Sequence, residues 1–255
     1  MFSNILSRPL LAAFCAGMLA ITLLAAARPE TAQAASTTII ADNFQGADGA
    51  TLDGRKPDTA DLPGGRWHVQ SQDAAGTGKG HSPMVISTAI GKPAPSVNTN
   101  FQDAAAISIA SNSKYGRTAK IAIRADVMLH TAQQIGVGFF SSLPADGLPS
   151  DTNFIGITWA SDKHLFFVKD GRLTDLGYFG SLKRGHFYRI SYHINTTTGQ
   201  MSHLHFAGKR VALPATLNSA VFTDAATAHA GFYSNSKEVK NYAFVDNFTV
   251  LSTKN

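Results

Sequence analysis

An all-β fold, an antiparallel two-sheet β-sandwich of the jelly-roll kind, is what this sequence predicts. Three observations predict it. From residue 35 onward, short runs rich in β-branched and aromatic residues alternate with clusters of Gly, Pro, Asn, Asp and Ser. Several runs alternate strictly between apolar and polar positions, the period of a half-buried strand. Helical periodicity is almost absent; the one candidate is the Ala-rich stretch from Leu217 to Ala228, where a short turn fits better than a full helix.

The strands read in order as Thr37–Asp42, Met84–Ser87, Ala105–Ala110, Ala119–Leu129, Ile135–Ser141, Phe154–Ala160, His164–Lys169, His186–Asn195, Ser202–Phe206, Arg210–Leu213, His229–Ser234 and Tyr242–Leu251. In KIAIRADVML, Ile121, Ile123, Ala125, Val127 and Leu129 share one face, with Lys120, Arg124 and Asp126 on the other. In YRISYHI, Tyr188, Ile190, Tyr192 and Ile194 oppose Arg189, Ser191 and His193. One apolar and one polar face per strand is what a sandwich requires. Asp170-Gly171 and Ala207-Gly208 mark hairpin turns. The stretch Gly46–Gly80, poor in strand signals and rich in Asp, Gly and Pro, reads as a long loop over one end of the sandwich, pinned by Trp67. A dozen such strands suit a jelly roll better than a seven-stranded immunoglobulin-like module. No repeat of about 20–50 residues points to a solenoid or propeller.

Residues 1–34 have another character. Leu10 to Ala27 is apolar throughout and follows Arg8, and Ala32 and Ala34 supply the Ala-x-Ala spacing that signal peptidase reads. The expectation is a signal peptide cleaved after Ala34, leaving 35–255 as a single domain. An uncleaved anchor is the alternative, because the apolar run nearly matches a bilayer. The sole cysteine, Cys15, lies inside this segment, so the remainder must stand on its core without disulfides. The expected location is secreted, periplasmic or cell-surface, with no stable membrane insertion after the segment is removed. Charged residues make up 15% of the chain, and the net charge of +5 is spread without a Lys/Arg cluster. Nucleic acid is therefore not an expected partner, and a polytopic membrane protein is excluded by the lack of a second long apolar run.

Two segments carry a resemblance. The opening ADNFQGADGATLDGRKPDTADLPGGRW is similar to the start of bacterial LamG-like, concanavalin A-like lectin-glucanase jelly-roll domains, and the closing GFYSNSKEVKNYAFVDNFTV is similar to their last two strands. The central FYRISYHINTTTGQMSHLHFAGKRVAL resembles their hairpins, so the likeness covers nearly all of 37–251. It implies the fold and leaves function open, since such folds host lectins, binding modules, hydrolases and lyases. The twin Asp-Asn-Phe segments predict that the first and last strands pair, burying Phe44 and Phe248 near each other.

The chemistry is sparse. A retaining hydrolase of this fold needs paired carboxylates about 5–5.5 Å apart, in a Glu-x-Asp-x-x-Glu pattern, and the only Glu after residue 34 is Glu238. Neither a Gly-x-Ser-x-Gly elbow nor P-loop or Rossmann glycines occur. Trp67, Trp159, Tyr178 and Tyr233 are candidate platforms for sugar rings, although both tryptophans equally suit the core. His203 and His205 leave one face of a strand, and a tight turn through Thr196–Gly199 brings His193 opposite His203, with Arg189 on the same face. Three imidazoles there suit a transition metal, a carboxylated sugar, or merely a polar surface. Asp42 and Asn43 on the first strand with Asp246 and Asn247 on the last are candidate Ca²⁺ ligands, or residues that satisfy backbone groups. The reading favoured is a non-catalytic binder of polysaccharide or cell-surface glycan. The alternatives are a polysaccharide-degrading hydrolase or lyase of the same fold and a structural or adhesive envelope protein.

Overall fold

The computed structural model describes residues 36–60, 65–72, 85–87, 96–100, 102–108, 120–140, 154–169, 171–195, 198, 200–214, 229–235 and 242–253. The segments 1–34 and 217–228 and the residue Glu238, all singled out above, lie outside them. Sixteen strands and no helix occur among the described residues: β1 (Ser36–Asp42), β2 (Thr59–Ala60), β3 (His68–Gln72), β4 (Val85–Ser87), β5 (Ser96–Asn100), β6 (Gln102–Ser108), β7 (Lys120–Leu129), β8 (Gln134–Phe140), β9 (Phe154–Ala160), β10 (His164–Lys169), β11 (Arg172–Tyr178), β12 (Tyr188–Asn195), β13 (Met201–Phe206), β14 (Lys209–Arg210), β15 (His229–Asn235) and β16 (Tyr242–Thr253). None of the described elements is a helix long and apolar enough to cross a membrane.

Two antiparallel sheets form. Sheet A runs β14-β13-β12-β7-β16-β1-β2, with β5 alongside the first half of β16 and β4 beyond it. Sheet B runs β11-β10-β9-β8-β15-β6-β3. The core between them draws Ile123, Ala125, Val127, Ile190, Tyr192, Phe206 and Val250 from sheet A and Ile135, Val137, Ile155, Ile157, Trp159, Leu165 and Phe232 from sheet B. Tyr192, wholly buried, bridges the sheets by donating its hydroxyl hydrogen to the Val137 carbonyl at 2.9 Å. Burial raises its phenol well above the usual range, so it stays a donor.

The first and last strands do pair: Asp42 lies opposite Phe248 and Ser36 opposite Thr253. Phe44 and Phe248 are both buried and share two neighbours, Trp67 and Phe232, at centroid distances of 5.3 to 6.0 Å. Such aromatic pairs contribute about 0.5–1.5 kcal/mol each beyond their area.

Three sequence expectations need correction. The Gly46–Gly80 stretch, expected as one long loop poor in strands, contains β2 and β3, which extend the edge of each sheet. β5 and β11 were also missed, being polar strands (SVNTN and RLTDLGY) without apolar alternation. Sheet B is not apolar on one face only. β9 is buried at every position, and Phe140, Phe154, Val168 and Tyr233 form a second apolar cluster on the face turned away from the core.

Candidate functional site

The motif that carries the family resemblance builds the fold. Asp42 points inward, on the side of Phe248. Its carboxylate accepts hydrogen bonds from Trp67 Nε1 at 2.7 Å and the Phe44 amide at 2.8 Å, and it meets Arg55 at 3.3 Å. Arg55 reaches Asp58 at 3.4 Å, and Asp58 in turn accepts from the Asn43 amide at 2.8 Å. The Gly54 amide donates to the Trp67 carbonyl, the Trp67 amide donates to the Arg55 carbonyl, and Arg66 donates to the Gly54 carbonyl. Burial, the largest influence, lifts the Asp42 carboxyl above its ordinary range, against the pull of Trp67, Phe44 and Arg55.

That network bears on the proposed Ca²⁺ site. Asp42 is spent on three protein donors, one of them a cation. Asp246 lies opposite Asp126 on the outer face of sheet A, because a β-bulge at Asn247, in the left-handed region at φ 51°, shifts the register between Asp246 and Thr249. Asn247 donates its side-chain amide to Asp126 at 2.9 Å. Asp42 and Asp246 therefore sit on opposite faces of the sheet, and the four residues do not fit a single Ca²⁺ shell. Among the described residues no group of three or more His, Cys, Asp or Glu is arranged to hold a metal.

The eight expected ligand residues separate into three places. Trp67 and Trp159 are core residues, and Tyr233 is buried in the second cluster with its ring against Gly136 and its hydroxyl 2.8 Å from Thr158. None of the three is available as a sugar platform. Arg189, His193, His203 and His205 lie on the outer face of sheet A. Tyr178 alone of the eight is an exposed residue of sheet B, at the end of its edge strand, with 63% of its surface open to solvent.

Around Tyr178 the outer face of β10 and β11 gathers further groups. His164, paired with Tyr178 across the strands, has its ring centroid 5.3 Å from the tyrosine and 5.9 Å from Phe166, on which it stacks. His164 Nδ1 lies 2.8 Å from Asp175 Oδ2. A bulge in β11, opposite Leu165 and Phe166, aims Asp175 there, and it depends on Gly177 at φ 128°, which glycine alone adopts comfortably. The Gly177 amide donates to Asp175 Oδ1 at 2.8 Å; this bond first, and then His164, holds the exposed carboxyl below its usual range. The Tyr178 ring rests against Gly180, where any β-carbon would collide with it. Leu173, 52% exposed, is the other large apolar side chain open to solvent among the described residues. An open ring with an ionised carboxylate and an imidazole beside it offers stacking and hydrogen-bond acceptance to a ligand. Asp175 escaped the sequence reading because β11 did, and with it the pairing to His164 on the predicted strand β10, although the Asp170-Gly171 turn signal called for a strand after it.

No family model matches the chain, and no curated protein matches it. Solved structures similar to it include a carbohydrate esterase from the Shiga toxin-encoding bacteriophage phi24B, at 13% identity and a TM-score of 0.46, covering 87% of this chain and 100% of that one. A carbohydrate binding module from Bacillus subtilis is 9% identical, with a TM-score of 0.40 over 64% of this chain and 89% of its own. A lectin complexed with galactose is 10% identical, with a TM-score of 0.44 over 68% and 89%. At such identities the likeness concerns fold and carries no shared site.

Proposed function

We propose that the protein is an exported, non-catalytic glycan-binding sandwich of the LamG-like kind that engages a polysaccharide or cell-surface glycan through Tyr178, His164 and Asp175. The observation that carries this reading is the Tyr178 ring, exposed on a sheet edge and backed by Gly180 with the His164–Asp175 pair beside it. Aromatic rings with few adjacent polar groups are how protein surfaces recognise the apolar faces of sugars. Export rests on the apolar Leu10–Ala27 run and the Ala32-x-Ala34 spacing.

A glycan array followed by titration of the best hit tests it. Tyr178→Ala is expected to weaken binding about tenfold, the equivalent of roughly 1.4 kcal/mol, with an unchanged melting temperature. Reducing-end and unsaturation assays on the same glycan are expected to stay at background. Cleavage of the hit, or undiminished binding by Tyr178→Ala, would overturn the proposal.

A further inference from the structure

Charges that are scattered in the sequence converge on the outer face of sheet A. The strand register sets Arg210, His205, Ser191, Arg124 and Thr249 in one row across five strands. At the usual strand spacing that row is about 19 Å long. The adjoining row holds His193 between Ser202 and Ala122, and Lys120 lies opposite Asn195 one row further on. A bulge places His203 in the left-handed region at φ 54°, so that it stays on this face while Met201 and Leu204 both turn inward. Its ring centroid is 5.0 Å from that of His193. Among the described residues of these strands, the acids on this face are Asp126 and the buried Asp246. Asp126 is engaged by Arg189 through two bonds of 2.8 and 3.0 Å and by Asn247. Arg124, Arg210 and the three imidazoles line the same face as a polar strip.

We propose that this face binds a linear polysaccharide bearing carboxylate groups, held by Arg124, Arg210 and the imidazoles of His193, His203 and His205. Guanidinium groups match carboxylates in a two-bond geometry, and imidazolium adds charge-assisted donors. A row that takes one residue from each of five adjacent strands suits an extended sugar chain. Among its described residues the row presents no Phe, Tyr or Trp as a platform for single-stranded bases, and no element shaped to enter a duplex groove.

The face is also pH-sensitive by construction. Burial and then the positive groups facing it, His203 and His205 from β13 and Lys120 and Arg124 from β7, hold His193 below its ordinary value. Bound carboxylates oppose that repulsion and favour the imidazolium, so binding takes up protons and tightens as pH falls. Arg189 and Asp126 face the same surface but largely neutralise each other.

The test is calorimetric titration with polygalacturonate at about pH 5.5 and pH 7.5, on either side of the ordinary histidine range. Affinity is expected to be about tenfold higher at the lower pH and to fall as salt is raised. Fully methyl-esterified polygalacturonate, which keeps the sugars and loses the charges, is expected not to bind. Arg124→Gln combined with His203→Gln and His205→Gln is expected to lower affinity at least tenfold; Arg124→Gln alone serves if the triple variant does not fold. Tyr178→Ala is expected to leave polygalacturonate affinity unchanged, so failure here and failure of the Tyr178 reading are separable. Equal binding of the esterified polymer, affinity independent of pH, tighter binding of duplex DNA, or wild-type affinity in a folded Arg124 variant would each overturn it.

Discussion

Asp42 illustrates how a residue that looks like a ligand is used as a structural acceptor. Its carboxylate is the partner of the Trp67 indole and the Phe44 amide, both buried. Asp42→Ala strands these donors, each at about 1–3 kcal/mol, and a loss of about 3 kcal/mol is expected in urea unfolding at neutral pH. The pH dependence has a definite sign. Because the folded carboxyl is raised above its unfolded value, its stabilisation is full below the ordinary Asp range and is lost as pH climbs through the folded value. Asp42→Asn removes that dependence, so its stability relative to wild type is expected to improve from about pH 3 to pH 7. At this scale the sequence was half legible. Asp42, Arg55 and Trp67 were visible as a motif, but the residue types alone did not distinguish a hydrogen-bond hub from a metal ligand or sugar platform. Depth in the sandwich decides that, and depth is set by partners far along the chain.

At the scale of the strand, alternation was the reliable signal, and bulges were where it failed. The apolar faces of β7 and β12 read correctly from every second residue. Bulges at His203, Asn247 and opposite Leu165 and Phe166 each insert one residue, and each moves the candidate site residues beside it. His193 thus pairs with Ser202 instead of His203, although the two rings still meet. Nothing local in SHLH or DNFT announces such an insertion. The bulge in β11 makes the sharpest prediction. Gly177→Ala forces a β-carbon into a backbone conformation at φ 128° that costs a side-chain-bearing residue on the order of 1–3 kcal/mol. Relief by straightening the bulge would carry Asp175 away from His164. A melting-temperature drop together with weaker glycan binding is expected, whereas Gly185→Ala, at φ 77° and away from the pair, should cost stability alone.

For the molecule as a whole, the closure of sheet A matters most, because β1 fills the position between β16 and β2. It delivers Ile39 and Ile40 to the core and Asp42 to the Trp67 network. This long-range pairing was legible only through the twin Asp-Asn-Phe segments; composition and periodicity identify strands without saying which neighbours they take. On the proposed cleavage after Ala34 a single residue would stand ahead of β1, and processing would end where the sheet begins. Two truncations separate the roles of the residues on either side. A chain beginning at Ser36 retains every β1–β16 pair and is expected to melt at the temperature of the chain beginning at Ala35. A chain beginning at Asn43 exposes the flank of β16 and removes two isoleucines, each worth about 1.5–3 kcal/mol when buried. It also leaves the Trp67 and Phe44 donors unmatched. The combined loss rivals the 5–15 kcal/mol that ordinarily separates folded from unfolded domains, so this shorter chain is expected to lack a cooperative thermal transition. A native-like transition from it would mean that the core is closed without β1, and that the pairing of the termini is incidental to the fold.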